Sequence, residues 1–157
     1  IDYSASTIVF SGEHAGDPFE GQFEKWTADI DFDANDLNNS AASVIFETSS
    51  AKTGNKLYDG TLPSADWFNS DKHPNARFVS TSFSQTENGY NVNGDLTIRD
   101  ITKPISFNFT LNEQNKTIMN ASFAIKRLDF DIGKNSDPTA DWVSENIQIT
   151  LKIHASR

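Results

Sequence analysis

The sequence predicts an all-β fold of about eight strands, on two observations. Apolar residues alternate with polar ones in short runs, and turn signals separate the runs, with no stretch that reads as a long helix. Tyr90, Val92, Leu96 and Ile98 share one face of a run that follows Asn88-Gly89. Ile105, Phe107, Phe109 and Leu111 do the same in the next run, and Ile147, Ile149, Leu151 and Ile153 repeat it near the end. Period-two alternation sends apolar side chains to one side of a pleated sheet. A sheet with one wet face has to bury the other, against a second sheet or by closing on itself. Closure makes the interior the natural place for function.

Taken in order, Ile8 and Phe10 open the first strand, which breaks across residues 12–18. Phe23 opens the second, with Trp26, Ala28, Ile30 and Phe32 on one side. Residues 33–40 are a polar turn rich in Asn and Asp, which tolerate unusual dihedrals. Val44, Phe46 and Thr48 mark the next strand. Residues 51–71 lack alternation, and a short helical segment is expected near residues 63–71, with Ser64 as its N-cap and Asp66 at the positive end of its dipole. Strand character resumes from Phe78 through Phe83. Asn88-Gly89 predicts a type I′ hairpin turn, because both residues accept positive φ. Gly94, inside the following strand, marks a bulge or a close backbone approach. Residues 99–104 form another turn, and Met119, Ala121, Phe123 and Ile125 form another one-sided face. Residues 133–141 are a polar loop, and the last strand runs from about Val143 to His154. With no repeat, low-complexity tract or linker, residues 1–157 read as one domain.

Composition narrows the function. The formal net charge of −9 argues against a nucleic-acid partner, whose phosphates need a basic surface. There is no cysteine, which excludes disulfides, zinc-thiolate sites, iron–sulfur clusters and thiol catalysis. Nothing approaches the roughly 20 consecutive apolar residues of a membrane-spanning helix, so stable membrane insertion is not expected. A first residue other than Met fits a processed or excised segment. The 12 phenylalanines are ample for a core and for lining a cavity.

By alternation the inward face includes Ile8, Phe10, Ile30, Phe46, Phe78, Leu96, Ile98, Phe107, Phe109, Met119, Phe123 and Ile149. These side chains either fill a core or line a ligand cavity. Trp67-Phe68 falls in the long non-strand segment and is either a lid over a mouth or packing under a loop. Trp142 is weighed with them, since Trp suits a rim where ligand meets water. His14 shares parity with Ile8 and Phe10 and either meets a ligand's polar head or serves as a structural histidine. His14, His73 and His154 have no metal-site spacing. Asp29, Asp31, Asp33, Asp129 and Asp131 fall on strand-like segments and face solvent. No catalytic triad order or phosphate loop is discernible, so no catalytic residue, catalytic cofactor or metal is expected. Lys72, Arg99, Lys103, Lys126 and Arg127 either meet a phosphate or are solvated turn residues. Asn108-Phe109-Thr110, Asn115-Lys116-Thr117 and Asn120-Ala121-Ser122 match a glycosylation acceptor, a pattern of low specificity.

Over nearly the whole length the residues resemble the YceI-like family of lipocalin-shaped, polyisoprenoid-binding proteins. The resemblance begins with Phe10-Ser11, His14, Gly21, Phe23 and Phe32-Asp33, and continues through Thr53-Gly54, Asp59, Leu62, Asp66, Trp67 and Phe68. His73-Pro74, Phe78 and Ser80 follow. The most specific stretch is residues 94–99, Gly-Asp-Leu-Thr-Ile-Arg, followed by Thr102-Lys103-Pro104; Arg127, Asp129, Phe130, Ile132 and Gly133 complete the series. Two residues depart from the pattern: Tyr58 stands where an Arg is common, and Asp100 where a Gly is. The resemblance implies an eight-stranded antiparallel lipocalin-like barrel that holds a long isoprenoid, such as ubiquinone or a polyprenyl phosphate, for storage or transport. It also implies a periplasmic or secreted location in a bacterium. The acidic total favours a neutral quinone head over a phosphate. The second reading is a secreted accessory module that binds carbohydrate or protein, its barrel filled by its own side chains. Homodimerisation stays open.

Overall fold

A computed structural model describes residues 1–113 and 117–156. Asn115 and Lys116 of one glycosylation-like triplet therefore lie outside the described residues. Ten strands form one antiparallel sheet: β1 (Thr7–His14), β2 (Asp17–Phe23), β3 (Trp26–Asp31), β4 (Ala41–Glu47), β5 (Ala51–Lys52), β6 (Asn75–Gln85), β7 (Tyr90–Ile98), β8 (Ile101–Asn112), β9 (Thr117–Lys126) and β10 (Asn146–Ala155). Their order is β3-β4-β6-β7-β8-β9-β10-β1-β2-β5. The expected count of eight is thus corrected to ten. The difference arises where two runs break: β2 gives way to β3 at Glu24-Lys25, and β4 gives way to β5 through a 3₁₀ turn at Thr48–Ser50. The breaks lie side by side. Glu24 N donates to Ser50 O (3.1 Å), extending the β2–β5 pair, and Glu47 N donates to Lys25 O (2.9 Å), extending the β3–β4 pair. At this corner the chain itself joins the two end pairs of the curled sheet.

Local chemistry explains the connections. The β7–β8 hairpin turns on Arg99 and Asp100, both left-handed (φ 56° and 60°), which is what a two-residue type I′ turn requires. Neither Asn88 nor Gly89 has positive φ, so the type I′ turn expected there is corrected. That hairpin is longer, with Thr86 N donating to Gly89 O (2.8 Å). Gly89 is small for a different reason: a Cβ there would stand 2.4 Å from Phe109 O. Gly94 fulfils both readings given to it. It faces Ser80, where the β6–β7 register shifts before Ser82, and an added Cβ would stand 2.4 Å from the Phe78 ring.

The helical segment is α1 (Lys56–Thr61), not residues 63–71. Asn55, not Ser64, is its N-cap, with its side chain accepting from Leu57 N and Tyr58 N. Asp59 sits in the first turn and accepts from Thr53 N and Thr53 Oγ1, both at 2.7 Å. Those bonds hold its carboxyl below the ordinary value. Pro63 follows the helix end, and residues 62–73 continue as hydrogen-bonded turns.

Inside the curl sits an apolar core that includes Ile8, Phe10, Phe46, Phe78, Val92, Leu96, Ile98, Phe107 and Phe109. The two ends of the curl are closed differently. At the β6–β7 turn, Phe32, Phe83, Tyr90 and Phe109 pack as a ring cluster with centroids 5.0–6.1 Å apart. At the other end α1, the loop carrying Trp67 and residues 127–143 cover the opening, and polar groups hold them together.

Candidate ligand-binding interior

The inward face encloses a space of about 160 Å³. Its walls are apolar side chains from the long strands, from Leu62 after α1 and from Trp67, Phe68, Ile132 and Val143 at the covered end; Arg127 is the one charged group among them. Thirteen of the expected site residues are on these walls: Ile8, Phe10, Ile30, Phe46, Phe78, Leu96, Ile98, Phe107, Met119, Phe123 and Ile149, placed there by strand alternation, and Trp67 and Phe68 from the loop after α1. Ile30 is 39% exposed, so it stands at an opening rather than deep inside. The Phe107 and Phe123 rings on its wall stack 4.3 Å apart.

Three expected site residues lie elsewhere. Phe109 is buried but belongs to the ring cluster at the far end, because the cavity ends before it. Trp142 is 63% exposed, held outward by the loop that folds around Asp137. His14 caps β1 and turns to Tyr58 of α1, its Nδ1 3.0 Å from the phenol oxygen. Both line a separate pocket of about 200 Å³ beside the interior.

Trp67-Phe68 forms a pinned cover. Phe68 packs against Phe23, with centroids 5.8 Å apart. Arg99 Nη1 donates to Ala65 O (2.8 Å) and to Trp67 O. The Asp66 carboxylate accepts from Asn135 N (2.9 Å), Ser136 N (2.7 Å) and Ser136 Oγ. Burial pushes the Asp66 carboxyl up, but these bonds and the nearby Arg99 charge outweigh it and hold the group below its ordinary value.

Arg127 overturns the reading of a solvated turn cation. It is 2% exposed and lies at the covered end of the interior, 5.5 Å from the Trp67 ring centroid. Nε donates to Ser144 O (3.2 Å), Nη1 to Ile132 O (2.8 Å), and Nη2 to Asp137 Oδ2 and Val143 O (both 2.9 Å). At most one guanidinium hydrogen remains for anything else. Asp137 is buried as well and accepts from the backbone N–H groups of Asp141, Trp142 and Val143. Burial raises its carboxyl; the three N–H donors and Arg127 together pull it below the ordinary value. Arg127 is a candidate cation in the sequence, but its partner Asp137 does not stand out there, lying ten residues further on in a polar loop. Asp129 is likewise not on a strand but on a 3₁₀ turn (Arg127–Phe130), and Asp131 follows it with φ 57°. No group of three or more His, Cys, Asp or Glu side chains could hold a metal among the described residues.

A profile of the YceI-like domain matches residues 1–155. The chain belongs to the YceI-like family. It is 36% identical over 117 residues to a UPF0312 protein of Pseudomonas savastanoi pv. phaseolicola, covering 74% of this chain and 58% of that protein. A UPF0312 protein of Photorhabdus laumondii is 30% identical over 158 residues, covering 96% of this chain and 80% of that one. The chain thus spans little more than half the length of several curated relatives. Among solved structures, Burkholderia cenocepacia BcnA superposes with a TM-score of 0.94 at 25% identity, covering 99% of both chains. A polyisoprenoid binding domain from Saccharophagus degradans, implicated in plant cell wall breakdown, superposes at 0.73 with 12% identity, covering 99% of this chain and 97% of that one.

Proposed function

We propose that this protein binds the tail of a long-chain polyisoprenoid in its apolar interior and stores or carries it, without catalysing a reaction. The observation that carries the reading is the wall itself, which is continuous and apolar apart from an Arg127 already engaged by carbonyls and Asp137. An isoprenoid tail loses roughly 0.8 kcal/mol per CH₂ equivalent when left in water. An apolar interior removes that cost during an aqueous excursion. Ubiquinone is favoured over a polyprenyl phosphate, because the net charge of −9 repels an anion and Arg127 has no donor set free for one. The periplasm or the exterior of a bacterial cell is the proposed location.

Size decides how such a tail enters. A cavity of about 150 Å³ admits a molecule the size of benzene. At about 160 Å³ the interior has to widen for a chain of many isoprene units, by rotation of facing rings such as Phe107 and Phe123. The same small volume supports the second reading, an accessory module whose barrel is filled by its own side chains. Native mass spectrometry of purified protein, followed by organic extraction, separates the two. A stoichiometric isoprenoid, retained or taken up on addition, is expected, and its head group identifies the lipid class. Protein that stays empty when offered both ubiquinone and a polyprenyl phosphate overturns the first reading in favour of the second.

A further inference from the structure

The polar side chains in the pocket beside the interior point to the kind of head group the ligand carries. That pocket lies between α1 and the β1–β2 turn and shares Phe19, Leu62, Trp67 and Val143 with the main cavity. The two spaces are therefore neighbours divided by those four side chains, and a head held in the pocket would lie next to a tail in the interior. Four polar side chains line it: His14, Thr53, Tyr58 and Thr61. The two threonines are occupied, Thr53 Oγ1 donating to Asp59 Oδ1 (2.7 Å) and Thr61 Oγ1 to Leu57 O (2.8 Å). Their hydroxyl hydrogens are spent, so among the lining side chains a free donor comes from His14 and Tyr58, which bond each other at 3.0 Å.

A neutral His–Tyr pair joined this way keeps one donor and one acceptor free, whichever atom donates within it. If the phenol donates to Nδ1, Nε2–H is the free donor and the phenol oxygen the free acceptor. If Nδ1–H donates, the phenol O–H and Nε2 exchange those roles. No Lys, Arg, Asp or Glu side chain lines the pocket. Among the described residues a phosphate there would find no Lys or Arg side chain to offset its lost hydration. A carbonyl or hydroxyl finds a partner of matching capacity. Leu57, at the lip, is 73% exposed, which gives the entrance an apolar edge.

We infer that the His14–Tyr58 pocket is the seat of the ligand's head group, and that it selects a neutral, hydrogen-bonding head over a phosphate. The inference rests on the proposed tail-binding function. It is tested with one tail and three heads: geranylgeraniol, geranylgeranyl monophosphate and the matching hydrocarbon without a head, each titrated into wild type and Tyr58→Phe with tryptophan fluorescence and native mass spectrometry as readouts. In the wild type the alcohol should bind more tightly than the hydrocarbon and the monophosphate. Tyr58→Phe should weaken the alcohol about five- to tenfold, the equivalent of one lost hydrogen bond, and leave the hydrocarbon unchanged. His14→Phe makes the same comparison should Tyr58→Phe fail to fold. Tightest binding of the monophosphate overturns the inference, as does a variant that shifts alcohol and hydrocarbon alike or shifts neither, while tail binding itself stands. Failure of all three to bind the wild type removes the tail-binding function and this inference with it.

Discussion

The two ends of the curled sheet solve the same problem in opposite ways. At the β6–β7 turn, rings close the interior: Phe109 contacts Phe32, Phe83 and Tyr90 with centroids 5.6, 6.1 and 5.5 Å away. At the α1 end, hydrogen bonds to backbone do the closing, with Arg127, Asp137, Asp66 and Arg99 tying loops distant in sequence to one another. A ring cluster is non-directional and tolerates small shifts. A buried ion pair is directional, and removing one partner leaves the other uncompensated. The pinned end also carries both the Trp67 cover and the His14–Tyr58 pocket, so the parts proposed to meet a ligand rest on the polar network.

Breaking the network should have the largest effect. Arg127→Met keeps an unbranched apolar stem but removes the guanidinium and strands Asp137 and the carbonyls of Ile132, Val143 and Ser144. A loss of about 3–5 kcal/mol in urea unfolding is expected. Hydrogen exchange should rise across residues 127–144 well before it rises at the β6–β7 turn. Uniform exchange in the variant would mean that the two ends are not separate devices.

Acid should act on the same end more gently. Asp66 and Asp137 are both held below their ordinary values when folded, so the unfolded chain takes up protons first as pH falls. Their contribution is fully present above about pH 4, the unfolded carboxylate value, and is lost as pH drops through the lower folded values. Unfolding free energy of the wild type measured from pH 6 to pH 2.5 should fall below about pH 4, and Asp137→Asn should flatten that fall. An equal slope in the variant would remove Asp137 from the account.

Most of the apolar interior was legible because alternation is local. A residue's parity with Ile8 or Phe107 decides its face with no knowledge of what lies opposite. Parity does not say where the cavity ends along a strand, and Phe109 was misplaced for that reason. The polar end was nearly illegible. Arg127 follows a lysine and precedes a polar loop, and its partners at Ser144, Val143 and Asp137 are brought to it only by folding. The family resemblance marks Asp66, Arg99 and the order Arg127, Asp129, Phe130, Ile132 and Gly133, but it carries no geometry. The helix lies earlier than the sequence predicts because Asn55 and Asp59 cap and charge its first turn, whereas the Ser64 hydroxyl donates to Thr61 O at 2.5 Å. Strand count failed where Glu24-Lys25 and residues 48–50 break two long runs, since neither break carries Gly or Pro.

The smallest expected effect divides wall from plug within a single strand. Phe107 and Phe109 are two residues apart on the inward face of β8, one on the cavity wall and the other in the ring cluster. Phe109→Leu loses edge contacts with Phe32 and Phe83 and the stack on Tyr90, and should cost about 1–2 kcal/mol. It should leave isoprenoid uptake, acid sensitivity and exchange across residues 127–144 as they are. Phe107→Leu loses the 4.3 Å stack on Phe123 at a similar stability cost, but it removes volume from the cavity wall and should change the tail length bound most tightly. Stability and tail-length preference measured on the two variants together therefore report different things. If Phe109→Leu alters tail preference as much as Phe107→Leu does, the interior extends through the ring cluster when a ligand is bound, and the aromatic end is a gate rather than a plug.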